Sequence, residues 1–211
     1  MRKRILKVWW LALLFPGVLA LAGCQAVAVL AGMPTKPVPA EYAGLSGDKR
    51  DIAIVVYTQE STELEDPGLA GDLQRSVIKQ LDSFSNLTFI SPTKIREYQR
   101  QNFYWADTPP ADLGKKLSAD MVLCVHVDYY ALTQPQQTYY MQGRITCRCM
   151  LIDVPKRQTV WDKPDLGVQF PAKDSPKSMT ISSDITRKEL LTQFCQKLAD
   201  CFRTHQEPAF E

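Results

Sequence analysis

The sequence of 211 residues is poor in the residues and motifs on which enzyme chemistry usually depends. It contains two histidines, His126 and His205, and no Gly-x-Ser-x-Gly motif of the kind that presents a nucleophilic serine. The segment GLSGDK at residues 44–49 has neither the spacing of a phosphate-binding loop nor a strand before it. We therefore expect no catalytic residue and no cofactor, and we predict that the chain is not an enzyme.

Acidic residues are scattered along the chain, with one cluster after the first predicted strand. We interpret that cluster as a solvated loop; its members are Glu60, Glu63, Glu65 and Asp66. His126 lies in an apolar segment, where a histidine with a structural role is more common than a catalytic one. The alternative hypothesis is a ligand-binding or enzymatic domain in which His126 and the acidic cluster line a pocket.

The chain also has no concentrated basic surface after its first residues. Four of its 25 basic residues are Arg2, Lys3, Arg4 and Lys7, and no acidic residue occurs among the first 23 positions. The other 21 basic residues are matched by 23 acidic ones. Because nucleic-acid binding depends on basic side chains that displace counterions, we expect no nucleic-acid partner.

Cysteine spacing gives no sign of a metal centre. Apart from Cys24, the cysteines are Cys124, Cys147, Cys149, Cys195 and Cys201. They lack the paired short spacings of a structural zinc site, so we predict no metal. An odd number cannot all pair within one chain, and we interpret most of them as small buried apolar residues.

Residues 1–23 have the parts of a secretory signal peptide: a basic start, an apolar stretch from Val8, and small residues before a break. The tetrapeptide Leu21-Ala22-Gly23-Cys24 resembles the lipobox of bacterial lipoproteins. That resemblance implies cleavage before Cys24 and a thioether from its thiol to diacylglycerol, with acyl chains such as palmitate holding the protein at a membrane. In Gram-negative lipoproteins, which this segment resembles, a glutamine after the cysteine favours the periplasmic face of the outer membrane.

One alternative to the lipobox is an uncleaved transmembrane helix over residues 8–33, because apolar character resumes after Gln25. Pro16-Gly17 interrupts the middle of that span. A fully soluble secreted product is a further alternative. Each of the first two interpretations tethers the domain to a membrane.

Residues 24–50 are predicted to be a lipid anchor and an extended tether. Pro34, Pro37 and Pro39 lie within six residues, and proline holds the chain extended without nucleating a helix. We expect a single α/β domain over residues 51–204 and a polar tail over residues 205–211.

The order of elements in the body predicts β-α-β-α-β-β-β-α. An apolar β-branched run at 51–57 is typical of a strand covered on both faces. Asp66-Pro67 is predicted to begin a helix, and Thr186-x-x-Glu189 to begin the last one. The predicted fold class is α/β, a mixed sheet of about five strands with helices mainly on one face, in an anticodon-binding-domain-like arrangement.

Two surfaces are candidates for contact with a partner. Phe103-Tyr104-Trp105 precedes two prolines in a polar region, and large aromatics anchor many protein interfaces. An equally favoured interpretation is that these rings fold back over the core as a lid. The predicted strand Tyr139–Val154 alternates apolar and polar residues, which places Arg144 and Arg148 on a face that is either solvated or meets a partner.

The order of elements also resembles a known group of lipoproteins. The features that carry the resemblance are a Ser-Pro helix start at Ser91, Ala119-Asp120 entering a long strand, and Leu151–Val154 turning back to Val160-Trp161. The group comprises the curli secretion channel lipoprotein family, the polysaccharide-export ring lipoprotein, the lipoprotein activators of penicillin-binding proteins and the amino-terminal domain of the Tol translocation protein. The resemblance implies a non-catalytic interaction or assembly module of the cell envelope, which binds another envelope protein or copies of itself.

Overall fold

The computed structural model describes residues 35–135, 141–172 and 182–208. The predicted signal peptide and the lipobox residues Leu21, Ala22, Gly23 and Cys24 lie outside these ranges. Among the described residues, no helix is both long enough and apolar enough to cross a membrane. The chain divides into two units, of which the larger spans Ala40–Arg203.

The helices and strands follow one another in an order that alternates at first and then becomes a meander. They are β1 (Thr35–Val38), β2 (Arg50–Tyr57), α1 (Glu60–Glu65), α2 (Leu69–Leu81), β3 (Leu87–Phe89), α3 (Pro92–Gln101), α4 (Pro110–Leu117), β4 (Met121–Thr133), β5 (Gln142–Asp153), β6 (Gln158–Phe170), α5 (Ser183–Asp200) and β7 (His205–Pro208). Short 3-10 helices occur at Ala43–Ser46 and Trp105–Asp107.

Five of these strands form one mixed sheet in the order β3-β2-β4-β5-β6. Strand β2 pairs in parallel with β3 on one side and with β4 on the other. Strands β4, β5 and β6 are antiparallel neighbours. The predicted α/β class and the five-stranded mixed sheet are therefore confirmed.

The two faces of the sheet are covered to different extents. Helices α2 and α5 pack on one face, where Leu73 and Phe194 belong to the larger core cluster. Helices α3 and α4 pack on the other face over β2 and the start of β4, in a smaller cluster that includes Ile95 and Leu113. A Cβ added at Gly114 of α4 would lie 2.4 Å from Val154 Cγ2, so only glycine allows this close approach to the sheet.

The cysteines of this unit lie in the core, as predicted. Cys147 and Cys149 of β5 face α5, from which Cys195 and the nearby Cys201 enter the same cluster. Cys124 belongs to the smaller cluster on the opposite face. All five are buried and form no disulfide with one another.

The helix starts predicted from local sequence patterns are wrong at two places. Asp66-Pro67 does not begin a helix, because α2 begins at Leu69 and Asp66 instead ends α1. The acidic cluster accordingly lies on helix α1 and not in a loop. Helix α5 begins at Ser183, three residues before Thr186, because the Ser182 hydroxyl accepts a hydrogen bond from the Ile185 amide.

The smaller unit contains the strand pair β1–β7. These strands are antiparallel, with Thr35 opposite Pro208 and Val38 opposite His205. The segment predicted as an extended tether therefore includes a strand, and so does the predicted polar tail. The extended backbone at Pro37 agrees with the fixed backbone angle of proline.

Candidate functional site

One end of the sheet remains open on the face that carries α3 and α4. The helices of this face cover Val122 and Cys124 of β4, and full burial ends two residues later at the half-buried His126. On the neighbouring strand β5, Arg144 and Arg148 are exposed and Thr146 between them is half-buried, whereas the intervening Ile145 and Cys147 face the core. The alternation predicted for this strand is confirmed over residues 142–151, whereas Tyr139 of the predicted strand lies outside the described residues. We call the exposed surface from His126 to Arg144 the open face.

A stack of three aromatic rings borders the open face. Tyr57 is the last residue of β2, and the parallel register places it beside His126 of β4. The two rings lie 4.2 Å apart and are nearly parallel, with an interplanar angle of 4°. Trp105 stacks on Tyr57 at a centroid distance of 5.1 Å. Such pairs contribute about 0.5–1.5 kcal/mol each beyond their buried area. Because Tyr57 and Trp105 also pack against the smaller core cluster, the stack closes the end of that core.

The register continues the stack into the arginines of β5. His126 lies opposite Arg148, which donates to both carboxylate oxygens of Asp162 on β6 at 3.2 and 2.6 Å. Further along the same face, the Arg144 guanidinium lies 5.9 Å from the centroid of the Tyr129 ring. Trp105 and Arg148, which the sequence placed on separate candidate surfaces, therefore belong to one continuous surface.

The remaining two residues of the aromatic segment project into solvent. Phe103 is 87% exposed and Tyr104 is 74% exposed, and their rings meet edge to face at 5.1 Å. Only Trp105 of this segment folds back onto the domain as the lid interpretation expects. Large apolar side chains exposed beside an otherwise polar surface are typical of interaction sites.

The electrostatic environment of the stack keeps its groups uncharged near neutral pH. Burial lowers the pKa of His126 and Arg148 lowers it further, while the nearby Asp128 has the opposite effect. Burial also raises the pKa of the Cys124 thiol to about 12, and it raises the pKa of the Tyr57 hydroxyl. Neither Cys124 nor Tyr57 is therefore ionised and nucleophilic under these conditions.

Sequence reasoning missed an ion-pair network that fixes the segment between α1 and α2. Arg187 of α5 donates to Asp66 Oδ1 at 3.0 Å and to Asp72 Oδ2 at 2.7 Å, and Tyr130 donates to Asp66 Oδ2 at 3.0 Å. Although burial raises the pKa of Asp66, the hydrogen bonds from Arg187 and Tyr130 outweigh it and lower the pKa. Asp66 and Arg187 are 121 residues apart, so no local pattern indicates the pair.

Three clefts formed by described residues are candidate ligand sites. One lies between α2 and α3, one beside Asp153, and one beside Arg187. His126 lines none of the three. Among the described residues, no group of three or more His, Cys, Asp or Glu side chains could hold a metal ion.

Comparison with known proteins finds similarity to solved structures alone. No protein family and no curated protein matches the sequence. The lipoprotein GNA1162 from Neisseria meningitidis is similar with a TM-score of 0.48 and 15% identity, over 71% of this chain and 98% of that one. The hypothetical protein CT253 from Chlamydia trachomatis has a TM-score of 0.44 and 13% identity, over 73% of this chain and 98% of that one.

A third similar structure is the PelC dodecamer from Paraburkholderia phytofirmans. Its TM-score is 0.43 and its identity 12%, over 79% of this chain and 96% of that one. Lipoproteins thus occur among the proteins that the structure resembles.

The lowered pKa of His126 predicts a pH dependence of stability. Because the folded protein binds the proton less tightly than the unfolded chain, whose histidine has a pKa near 6.5, the free energy of unfolding falls as the pH drops through 6.5 toward the lowered value. His126→Gln removes this contribution. Urea unfolding at about pH 7.5 and about pH 5.5 should therefore show a smaller loss of stability for this variant than for the unsubstituted protein.

Thr192→Ala is the matched control, since Thr192 is an exposed residue of α5 that does not titrate. We expect this variant to keep the pH dependence of the unsubstituted protein. Equal pH responses of the unsubstituted protein and His126→Gln would contradict the lowered pKa.

Proposed function

We propose that this chain is a lipid-anchored protein of the cell envelope that acts, without catalysis, as an interaction or assembly module. The observation that carries the proposal is the open face, where a stack of three rings continues into two arginines. The partner is another envelope protein or a second copy of the chain. We expect no nucleic-acid partner.

The composition of the open face suits a protein interface. Tryptophan, tyrosine and arginine carry most of the binding free energy at interfaces, and they do so where water is excluded around them. Trp105 and Tyr57 are already fixed by stacking, so a partner would bind without ordering them first. Arg144 has no ion pair among the described residues and stays available to a carboxylate of the partner.

The exposed aromatics beside the stack support the same interpretation. Phe103 and Tyr104 leave large apolar areas in water, and their contact with each other covers little of either ring. Burial of apolar area contributes about 25 cal/mol per Å². A partner that covered both rings would therefore gain affinity from side chains that contribute little to the isolated fold.

Lipidation of Cys24 would hold this module at a membrane. Each buried methylene contributes about 0.8 kcal/mol, and two or more acyl chains anchor a protein stably. Gln25 after the cysteine supports the outer membrane as the location. A tethered module meets membrane partners at a raised effective concentration, so a surface of modest intrinsic affinity suffices.

The environment of His126 supports a role without catalysis. One face of its ring is covered by Tyr57, and the neighbouring Cys124 and Tyr57 are held in their protonated forms by burial. Its register neighbour Arg148 is engaged by Asp162. The groups around His126 thus pack against one another and leave no activated nucleophile beside it.

Lipid anchoring predicts the mass of the mature protein. We expect the intact mass to correspond to a chain that begins at Cys24 and carries a diacylglycerol, and we expect the protein in the membrane fraction. Cys24→Ala should abolish the added lipid mass, because no other thiol occupies a lipobox. Cys195→Ala, which changes a thiol buried in the core, should leave processing unchanged. An unmodified, uncleaved protein would contradict the lipid anchor at Cys24.

The open face and the exposed aromatics beside it predict where a partner can be crosslinked. A photoreactive amino acid in place of Arg144 or Tyr104 should give a crosslinked product of one defined mass from membranes. The same amino acid in place of Lys79, an exposed residue of α2, should give none. A product of twice the protomer mass would identify self-assembly, and another mass would identify a different envelope protein.

Substitution of Trp105 provides the second arm of this experiment. We expect Trp105→Ala to abolish the crosslink from position 144, because the stack loses its outer ring. Thermal unfolding would show that the variant is folded. The absence of any defined product from positions 104 and 144, together with a monomeric mass in mild detergent, would contradict the proposed function. Loss of a measurable activity in His126→Gln without loss of fold would favour a ligand-binding or enzymatic role instead.

A further inference from the structure

We propose that the cleft between α2 and α3 binds a small molecule that carries a phosphate group. The cleft has a volume of about 410 Å³ and lies beside Val56, at the carboxyl end of β2. The side chains that define its chemistry are Gln74, Arg75, Arg96, Gln99 and Trp105. The cleft shares Trp105 with the stack that borders the open face, but its two arginines lie on α2 and α3, outside that face.

The position of the cleft is the usual one for ligands in α/β folds. Strand β2 continues toward α2, which packs on one face of the sheet, whereas β3 continues into α3 on the other. A crevice opens at the carboxyl ends of neighbouring parallel strands when their connections leave on opposite faces. Val56 places the cleft at the carboxyl end of β2, and the volume of the cleft falls within the range of small-molecule sites.

The walls of the cleft offer many more hydrogen-bond donors than acceptors. Arg75 and Arg96 come from different helices, and each guanidinium carries five N–H groups. Gln74 and Gln99 add amide groups, although Gln74 donates one hydrogen bond to the Ile54 carbonyl at 2.7 Å. A site rich in donors is complementary to a ligand rich in acceptors.

The charge of the two arginines is incompletely balanced by the protein. Glu63 lines the same cleft, but its carboxylate accepts a hydrogen bond from the Thr58 hydroxyl at 2.6 Å and pairs with neither arginine. Arg96 has no ion pair within the part of the chain that the structure describes. The like charge at one cleft costs free energy that a bound anion would recover.

Arg75 also keeps donors for a ligand despite its own ion pair. It contacts Asp72 through Nη2 alone, and the other carboxylate oxygen of Asp72 accepts from Arg187 at 2.7 Å. Asp72 is thus shared between two arginines, which leaves the Nε and Nη1 groups of Arg75 without a carboxylate. Because phosphate has three exposed oxygens, it can accept from two guanidiniums at once, which favours it over a carboxylate.

Trp105 and Gly71 shape the space beside the two arginines. The indole of Trp105 forms an apolar wall, against which a flat ring of the ligand can stack. Gly71 leaves the backbone of α2 bare at the cleft, and a Cβ there would lie 3.4 Å from Arg75 Nη1. We therefore expect a phosphate ester with an aromatic body to bind better than inorganic phosphate.

Calorimetric titration of the detergent-solubilised full chain with phenyl phosphate tests the site. We expect saturable binding that Arg96→Ala weakens by about tenfold or more, as the loss of a charged hydrogen bond implies. Arg100→Ala is the matched control, since Arg100 lies on the same helix and does not line the cleft. We expect this variant to bind as the unsubstituted protein does.

Vesicles of phosphatidylglycerol form a second arm, because a lipid headgroup also presents a phosphate. Binding of vesicles that depends on Arg96, without binding of phenyl phosphate, would assign the phosphate to a lipid headgroup. No binding of either probe, or equal weakening by Arg96→Ala and Arg100→Ala, would overturn the proposal. The crosslink from position 144 does not depend on Arg96. Failure of the cleft proposal would therefore leave the proposed function standing, and failure of the crosslink would leave the cleft proposal standing.

Discussion

The register of β4 within the sheet determines which side chains form the open face. In that register, His126 lies beside Tyr57 of β2 on one side and opposite Arg148 of β5 on the other. A shift by one residue would turn His126 into the core and the apolar Val125 or Val127 to the outside. The burial of the alternate β4 residues beneath α2 and α5 therefore fixes the open face as well as the core.

This arrangement separates the tasks of the two faces of the sheet. The face beneath α2 and α5 contains the larger core, with four of the five buried cysteines. On the other face, α3 and α4 cover only one end, and the aromatic stack closes the smaller core where they end. Surface residues beyond the stack can therefore bind a partner without contributing to either core.

The sequence predicted the features that depend on short-range periodicity, and it failed where distant residues decide. The alternation along β5 predicted correctly that Arg144 and Arg148 face away from the core. The contact between Trp105 and Tyr57 was not predictable, because it depends on how the connection after α3 returns to the end of β2. Asp66 has the local pattern of a helix start, but its carboxylate is engaged by Arg187 and Tyr130, so α2 begins later. The lipobox remains a prediction from sequence.

Hydroxyl-radical footprinting would show whether the open face and the exposed aromatics beside it are covered when the protein is anchored at its membrane. Oxidation of Phe103, Tyr104 and Tyr129 would be compared between native membranes and the monomer in detergent, relative to Ile185, an exposed residue of α5. We expect oxidation of the three aromatic residues to fall in membranes while that of Ile185 does not. Equal oxidation of the aromatic residues in both preparations, relative to Ile185, would contradict this expectation.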